Sequence, residues 1–187
     1  MAVQKTDISL EAFEEFLKLP ENEDRLFELI DGEIVEKVPT EEHGLVQMNL
    51  GSHLWNFNRD HKLGGRVTSE PRHRMPQDKR NSRLPDVAFT SKERALPLVT
   101  DGAVPQMPDL VVEIKSPNDS LKQMREKAAY YLANGARLVW LVLPSKRLVE
   151  IYRANGDMDV LRETETLDGE DVLPGFKLPV ADIFAEG

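Results

Sequence analysis

The sequence contains no cysteine. That excludes structural disulfides, thiolate zinc sites, iron–sulfur clusters and a cysteine nucleophile. It suits a reducing compartment, so a cytoplasmic location is expected. Long apolar runs are missing too: the longest, Leu138–Leu143, has six residues, against the ~20 that cross a bilayer, so no membrane association is expected. The N-terminal stretch MAVQKTDISLEAFEEF mixes charged and apolar side chains and lacks the apolar centre of a secretory signal. There is no GxxxxGK, GxGxxG, HExxH or GxSxG, and His43, His53, His61 and His73 lack zinc spacing. Phosphate-loop, dinucleotide, metalloprotease and serine-hydrolase chemistries lose their support. Internal repeats, low-complexity tracts and Gly/Ser linkers are absent.

What is present is 187 residues, 40% hydrophobic and 30% charged, enough for one domain that buries an ordinary core. The net charge of −9 argues against a protein built to coat nucleic acid. Its distribution says more. Residues 1–65 and 154–187 are acidic, at −8 and −7, and residues 66–153 carry +6. Either the parts complement one another within one domain, or the basic middle holds a site for an anionic substrate.

Helical and strand patterns alternate along the chain. A short helix is expected over 9–19, capped by Ser9. Leu26–Ile30 and Glu33–Val38 flank Asp31-Gly32, a hairpin signal. Thr40 starts a longer helix with an apolar stripe of Val46, Leu50, His53, Leu54 and Phe57. Residues 66–75 read as an edge or bulged strand broken by Pro71. Strands follow at Leu84–Thr90 and Leu110–Lys115. A helix runs from Asp119 or Ser120 to Asn134, with Met124, Ala128 and Tyr131 in its buried stripe and Gly135 as C-cap. Leu138–Leu143 reads as a central strand buried on both faces, and Leu148–Arg153 as its neighbour. The order predicts an α/β (α+β) domain over 1–187, a mixed sheet flanked by helices. Its core lies at about 25–153, and a C-terminal hairpin and short helix occupy 154–187.

The chemistry concentrates in PDLVVEIKSP, residues 108–117. Alternation puts Leu110, Val112 and Ile114 on one face and Asp109, Val111, Glu113 and Lys115 on the other. Glu113 and Lys115 then stand roughly 6.6 Å apart along the strand, close enough to serve one polar centre. A second acid, Asp86, follows Pro85 in the preceding strand. With strands about 4.8 Å apart, Asp86 and Glu113 can share a hydrated cation. Asp109 lies four residues from Glu113, roughly 13 Å along the strand, too far to share one ion. Outside a reactive site, Glu113 and Lys115 read as a surface ion pair and Asp86 as a strand-start residue.

Pro85-Asp86 followed by Glu113-Ile114-Lys115 resembles the motif of PD-(D/E)xK nucleases. The segments RLFELIDGEIVE, EEHGLV, RLPDVAF, PDLVVEIKSP, REKAAYYLANGARLVWLV and VLPGFKLPVADIF, spanning about residues 25–184, resemble the Uma-two family of restriction-endonuclease type. The resemblance implies a restriction endonuclease-like fold and a Mg²⁺- or Mn²⁺-dependent phosphodiesterase acting on DNA, expected to be double-stranded. Asp86 and Glu113 would be metal ligands, helped by the Ile114 backbone carbonyl. Lys115 would orient water or stabilise transition-state charge.

Further candidates surround this centre. His43 and Gln47 share one helix face; His43 either borders the site or is a surface histidine in the first turn. Glu70 is either an additional metal ligand or an ion-pair partner of Arg72 or Arg74. Glu28 is a candidate from the first hairpin. Lys127 and Tyr131 resemble the polar-x-x-x-Tyr pattern that follows the motif lysine in some of these nucleases, although Tyr131 also fits the core stripe. Arg72, Arg74, Lys79, Arg80 and Arg83 lie in the most basic stretch and are candidate phosphate contacts, the alternative being a solvated loop. A homodimer is expected on the ground that cutting two strands takes two sites. The competing function is a nuclease-like module that binds DNA or a protein without cleaving.

Overall fold

Ser9 caps the first helix, α1 (Leu10–Leu17), by accepting the Ala12 N–H. The structure, a computed structural model, describes residues 7–186. Residues 1–6, part of the stretch read as lacking a signal, and Gly187 lie outside the described residues. Next come β1 (Leu26–Ile30) and β2 (Glu33–Lys37), an antiparallel hairpin. Asp31 and Gly32 both have positive φ, 50° and 82°, as a tight two-residue hairpin turn requires. The apolar face of α1 packs on this hairpin through Phe13, Phe16, Phe27 and Leu29.

The main sheet has six strands in the order β3 (Arg66–Ser69), β4 (Val87–Thr90), β5 (Leu110–Ile114), β6 (Leu138–Leu143), β7 (Leu148–Arg153) and β8 (Met158–Arg162). Only β5 and β6 run parallel; the crossover between them is α3 (Leu121–Ala133). Every residue of β6 is buried, because both faces of this inner strand are covered. On one face Val112, Trp140 and Ile151 meet α2 (Glu41–Asp60) and the C-terminal segment. On the other, Val111, Val139 and Leu141 meet Met124, Ala128 and Tyr131 of α3. The C-terminal segment holds the small hairpin of β9 (Thr166–Asp168) and β10 (Lys177–Pro179), then α4 (Val180–Ile183).

The expected mixed sheet with flanking helices is present, and β3 is an edge strand. Three local expectations are corrected. The strand expected over 66–75 ends at Ser69: Glu70 takes a φ of 51°, a left-handed conformation that ends extended pairing. The strand expected from Leu84 starts at Val87, since side chains take bonds a ladder would use. Glu28 Oε1 accepts the Leu84 N–H at 2.8 Å and Asp86 Oδ2 accepts the Ile114 N–H at 2.6 Å. In α2, His53 is exposed and His43 is buried instead; the core face runs through His43, Val46, Leu50, Leu54 and Phe57, and His53 falls beside it.

Candidate active site

Asp86 sits just before β4, completely buried, with its backbone N–H on the Val112 carbonyl at 3.1 Å. Gln47 of α2 donates to the Asp86 carbonyl at 3.1 Å and to Ser69 Oγ at 2.7 Å. The Asp86 carboxylate is therefore aimed by the sheet on one side and α2 on the other. Oδ2 receives the Ile114 N–H and lies 3.2 Å from His43 Nε2. Oδ1 receives Lys37 Nζ at 2.5 Å. His43 is thus at the centre and not on the surface.

Glu113 points from β5 toward α3, as alternation predicts. Its Oε1 accepts the Tyr131 hydroxyl at 2.7 Å and its Oε2 accepts Lys127 Nζ at 2.8 Å. Lys127 also reaches Glu28 Oε2 at 2.9 Å. Lys37 Nζ stands 3.8 Å from Glu113 Oε2, so one ammonium lies between the two motif carboxylates. Glu28, Asp86 and Glu113 are all buried, and two lysines face them, leaving one negative charge in surplus.

These charges set one another's protonation. Burial alone pushes the Asp86 carboxyl up, but Lys37 and His43 outweigh it and hold Asp86 well below the usual carboxylate range. Burial likewise opposes ionised Glu28, and Lys127 with Lys37 hold it low. At Glu113 burial wins over Lys127 and Lys37, so its carboxyl is raised. It is the member of the cluster that takes a proton most readily. Burial pulls both ammoniums down, but the surrounding carboxylates prevail and hold Lys37 and Lys127 above the ordinary lysine value.

A cleft of about 570 Å³ opens over the cluster, lined by Glu28, Lys37, His43, Glu70, Arg83, Glu113, Lys127 and Tyr130 among others. A second groove, about 640 Å³, lies between α2 and β3 and is lined by residues such as Met48, Trp55 and Val67, with no carboxylate or lysine. Of the two, the first is the one lined by the carboxylates and lysines of the cluster.

Lys115 departs from the expected arrangement. It lies beyond the last residue of β5, and its Nζ donates to the Ser116 carbonyl at 2.9 Å rather than pairing with either motif carboxylate. Lys37 and Lys127 hold the positions beside the acids. The hairpin register shows why Lys37 belongs there: Leu26 pairs with Lys37 and Glu28 with Val35, so Glu28 and Lys37 share one face. That register is readable from the Asp31-Gly32 turn, yet nothing in the sequence says which element the face meets.

Asp109, rejected as the motif acid, is buried at the opposite end of β5 and bonds Ser91 N–H and Arg94. Glu70 lines the cleft and forms no ion pair with Arg72 or Arg74 among the described residues. The basic stretch divides. Arg72 pairs with Glu14 at 3.0 Å, Lys79 with Glu11 at 3.4 Å and Arg80 with Asp7 at 3.0 Å; these hold the N-terminal segment. Arg74 is half-buried. Arg83 is buried, lies over the Tyr130 ring at 4.3 Å, and its Nε and Nη1 have no hydrogen-bond partner among the described residues.

No group of three or more His, Cys, Asp or Glu side chains converges as a metal site among the described residues. The donor set is two buried carboxylates around one cation. That set fits Mg²⁺, which takes hard oxygen ligands and is commonly held by one or two carboxylates plus waters. No helix among the described residues is long and apolar enough to cross a membrane.

A search of curated proteins returned no match. Among solved structures, a crystal structure described as a putative nuclease belonging to DUF820, from Anabaena variabilis ATCC 29413, aligns with a TM-score of 0.77 and 26% identity, covering 95% of this chain and 97% of that one. The profile of the Uma2 family, described as "Putative restriction endonuclease", matches residues 13–181. With nearly the whole chain matched, the protein belongs to the Uma2 family.

Proposed function

We propose that this chain is a divalent-metal-dependent nuclease that hydrolyses phosphodiester bonds in double-stranded DNA. The observation that carries the reading is one cation between two motif carboxylates: Lys37 Nζ lies 2.5 Å from Asp86 and 3.8 Å from Glu113. The description of the Uma2 family and that of the similar Anabaena variabilis protein as a putative nuclease point to the same class of chemistry. Asp86 and Glu113 would hold Mg²⁺ or Mn²⁺, with the Ile114 carbonyl as a further donor and Glu70 as an additional carboxylate at the cleft. Such an ion lowers the pKa of bound water and offsets phosphate charge.

The chain's own groups do the rest. Gln47 and the Ile114 N–H fix Asp86; Tyr131 and Lys127 fix Glu113. Fixed donors need no reorganisation when charge develops. Lys115, turned from the Ser116 carbonyl, would orient water or face the phosphate. His43 donates its Nε2–H to Asp86 Oδ2. Arg83 lines the cleft, and its guanidinium, whose Nε and Nη1 are buried without acceptors among the described residues, would turn outward to a phosphate oxygen. Arg72, Arg74, Lys79 and Arg80 form the outer basic surface, three of them by exchanging present carboxylate partners for phosphates. A two-fold dimer would bring one site to each strand.

The test is cleavage of supercoiled plasmid with Mg²⁺ or Mn²⁺ against an EDTA control, for wild type, Asp86→Asn, Glu113→Gln and Lys115→Ala, each checked by circular dichroism. Metal-dependent nicking that falls at least about a hundredfold in both carboxylate variants is expected. Cleavage that persists in both, or in EDTA, refutes the assignment. Folded wild-type protein that binds duplex but never cuts it favours the non-catalytic module.

A further inference from the structure

Lys37 belongs neither to the main sheet nor to the Pro85-Asp86 and Glu113-Ile114-Lys115 motif. It comes from the last position of β2, on the hairpin. Its Nζ nevertheless meets oxygens from three separate places: Asp86 Oδ1 at 2.5 Å, the Leu84 carbonyl at 2.8 Å and Glu113 Oε2 at 3.8 Å. Two are anionic and one is a backbone carbonyl. That is the ligand chemistry of a hard divalent cation, which binds such oxygens at about 2.0–2.1 Å for Mg²⁺. An ammonium hydrogen bond and a metal–oxygen bond use the same lone pairs. The ammonium and the ion cannot occupy the position together.

Building on the metal-dependent reading above, we propose that Lys37 is a tethered cation that fills the divalent-ion position between Asp86 and Glu113, and that an ion binds only by displacing it.

Charge balance favours the exchange. Counted over the three buried carboxylates in their ionised form and the two lysines, one negative charge is in surplus. With Lys37 withdrawn and a divalent ion in its place, the cluster is neutral. The exchange also has a route. The Lys37 side chain is 15% exposed and lines the open cleft, so its flexible four-carbon stem can swing into water. Glu70 also lines this cleft and is a carboxylate that the displaced ammonium can meet when Asp86 and Glu113 alone hold the ion. Until that exchange, Lys37 keeps two buried acids from facing each other unscreened. The consequence is a threshold: competition from a tethered group lowers apparent ion affinity by the fraction of molecules in which the position is free.

The experiment measures Mn²⁺ binding to the whole chain without DNA, by paramagnetic resonance of free Mn²⁺ and by calorimetry. The proteins are wild type, Lys37→Met and Lys37→Gln, with Lys37→Met/Asp86→Asn as the control for the site. Met removes the ammonium and keeps most of the stem's volume; Gln keeps a donor for the Leu84 carbonyl and decides the matter if the Met protein does not fold. At least tenfold tighter binding of one Mn²⁺ than in wild type, lost in the double variant, is expected. A larger Mn²⁺-induced rise in melting temperature should accompany it. Equal or weaker Mn²⁺ affinity in folded Lys37 variants, with wild type still binding, overturns the tethered-cation inference and leaves the metal reading standing. No Mn²⁺ binding by any of the proteins overturns both.

Discussion

Tyr131 donates its hydroxyl to Glu113 Oε1 across 2.7 Å, from a position in α3 that is itself completely buried. The ring packs with Met107, Val111 and Ala128, so one side chain is both core and positioning group. Tyr131→Phe keeps the ring and leaves a buried carboxylate oxygen short of a donor. A loss of about 1–3 kcal/mol follows. Urea denaturation at neutral pH measures it; an unchanged midpoint and slope would show that water replaces the hydroxyl.

The lysines separate sharply. Lys127 bridges Glu28 and Glu113 with its side chain 13% exposed. Lys127→Met strands two buried carboxylates beside each other, and the expected cost is about 3–5 kcal/mol. Among the described residues Lys115 Nζ bonds only the Ser116 carbonyl, so Lys115→Met should stay within about 1 kcal/mol of wild type. Denaturant midpoints for the pair decide this, and a larger loss for Lys115 than for Lys127 contradicts the arrangement.

Much of this was legible in the chain. The Asp31-Gly32 turn, the all-apolar Leu138–Leu143 and the stripe of α3 each rest on local rules, and strand spacing brought Asp86 and Glu113 forward as candidates that the fold places around Lys37. Lys37 was invisible because its role depends on where the hairpin docks. The hairpin is not in the main sheet, and it meets the loop before β4 through the Leu29–Ser82 bridge. The expected surface option for His43 failed for a related reason. A histidine in a helix's first turn is exposed only if that turn faces water, and here it faces Asp86. Lys115 shows the limit of alternation: the strand ends one residue before it, so its direction is no longer set by the pleat.

Acid should weaken the fold through Asp86. Its folded pKa is depressed, so its contribution is fully present above the unfolded value of about 3.9 and is lost as pH falls through the folded one. About 1 kcal/mol disappears by pH 3, where the unfolded carboxyl binds a proton and the folded one does not. Asp86→Asn lacks this proton uptake. The stability gap between wild type and variant should hold constant from pH 7 to 5 and narrow between pH 4 and 3, as followed by denaturant titration. A gap that widens toward acid would give the shift the opposite sign.

Arg83 offers a prediction that needs no catalysis. Most of the charged residues around it are paired: Arg80 with Asp7, Arg72 with Glu14, Lys79 with Glu11. Arg83 instead has a tyrosine ring beneath it and buried N–H groups without acceptors among the described residues. A guanidinium in that state gains more from a phosphate than one already holding a carboxylate, because no partner has to be given up first. Duplex affinity measured across a salt series should therefore respond unequally. Arg83→Gln should weaken binding at low salt and reduce the log–log salt slope by about 1, the value for one phosphate contact. Arg80→Gln should lower the slope less than Arg83→Gln does, because the Arg80 guanidinium must first give up Asp7 to reach a phosphate. Arg83→Lys, which keeps the charge but not the planar stack on Tyr130, should retain the slope and lose part of the affinity. If Arg83→Gln folds and leaves the slope untouched, the guanidinium is a packing group on Tyr130 and the phosphate path runs elsewhere over the cleft.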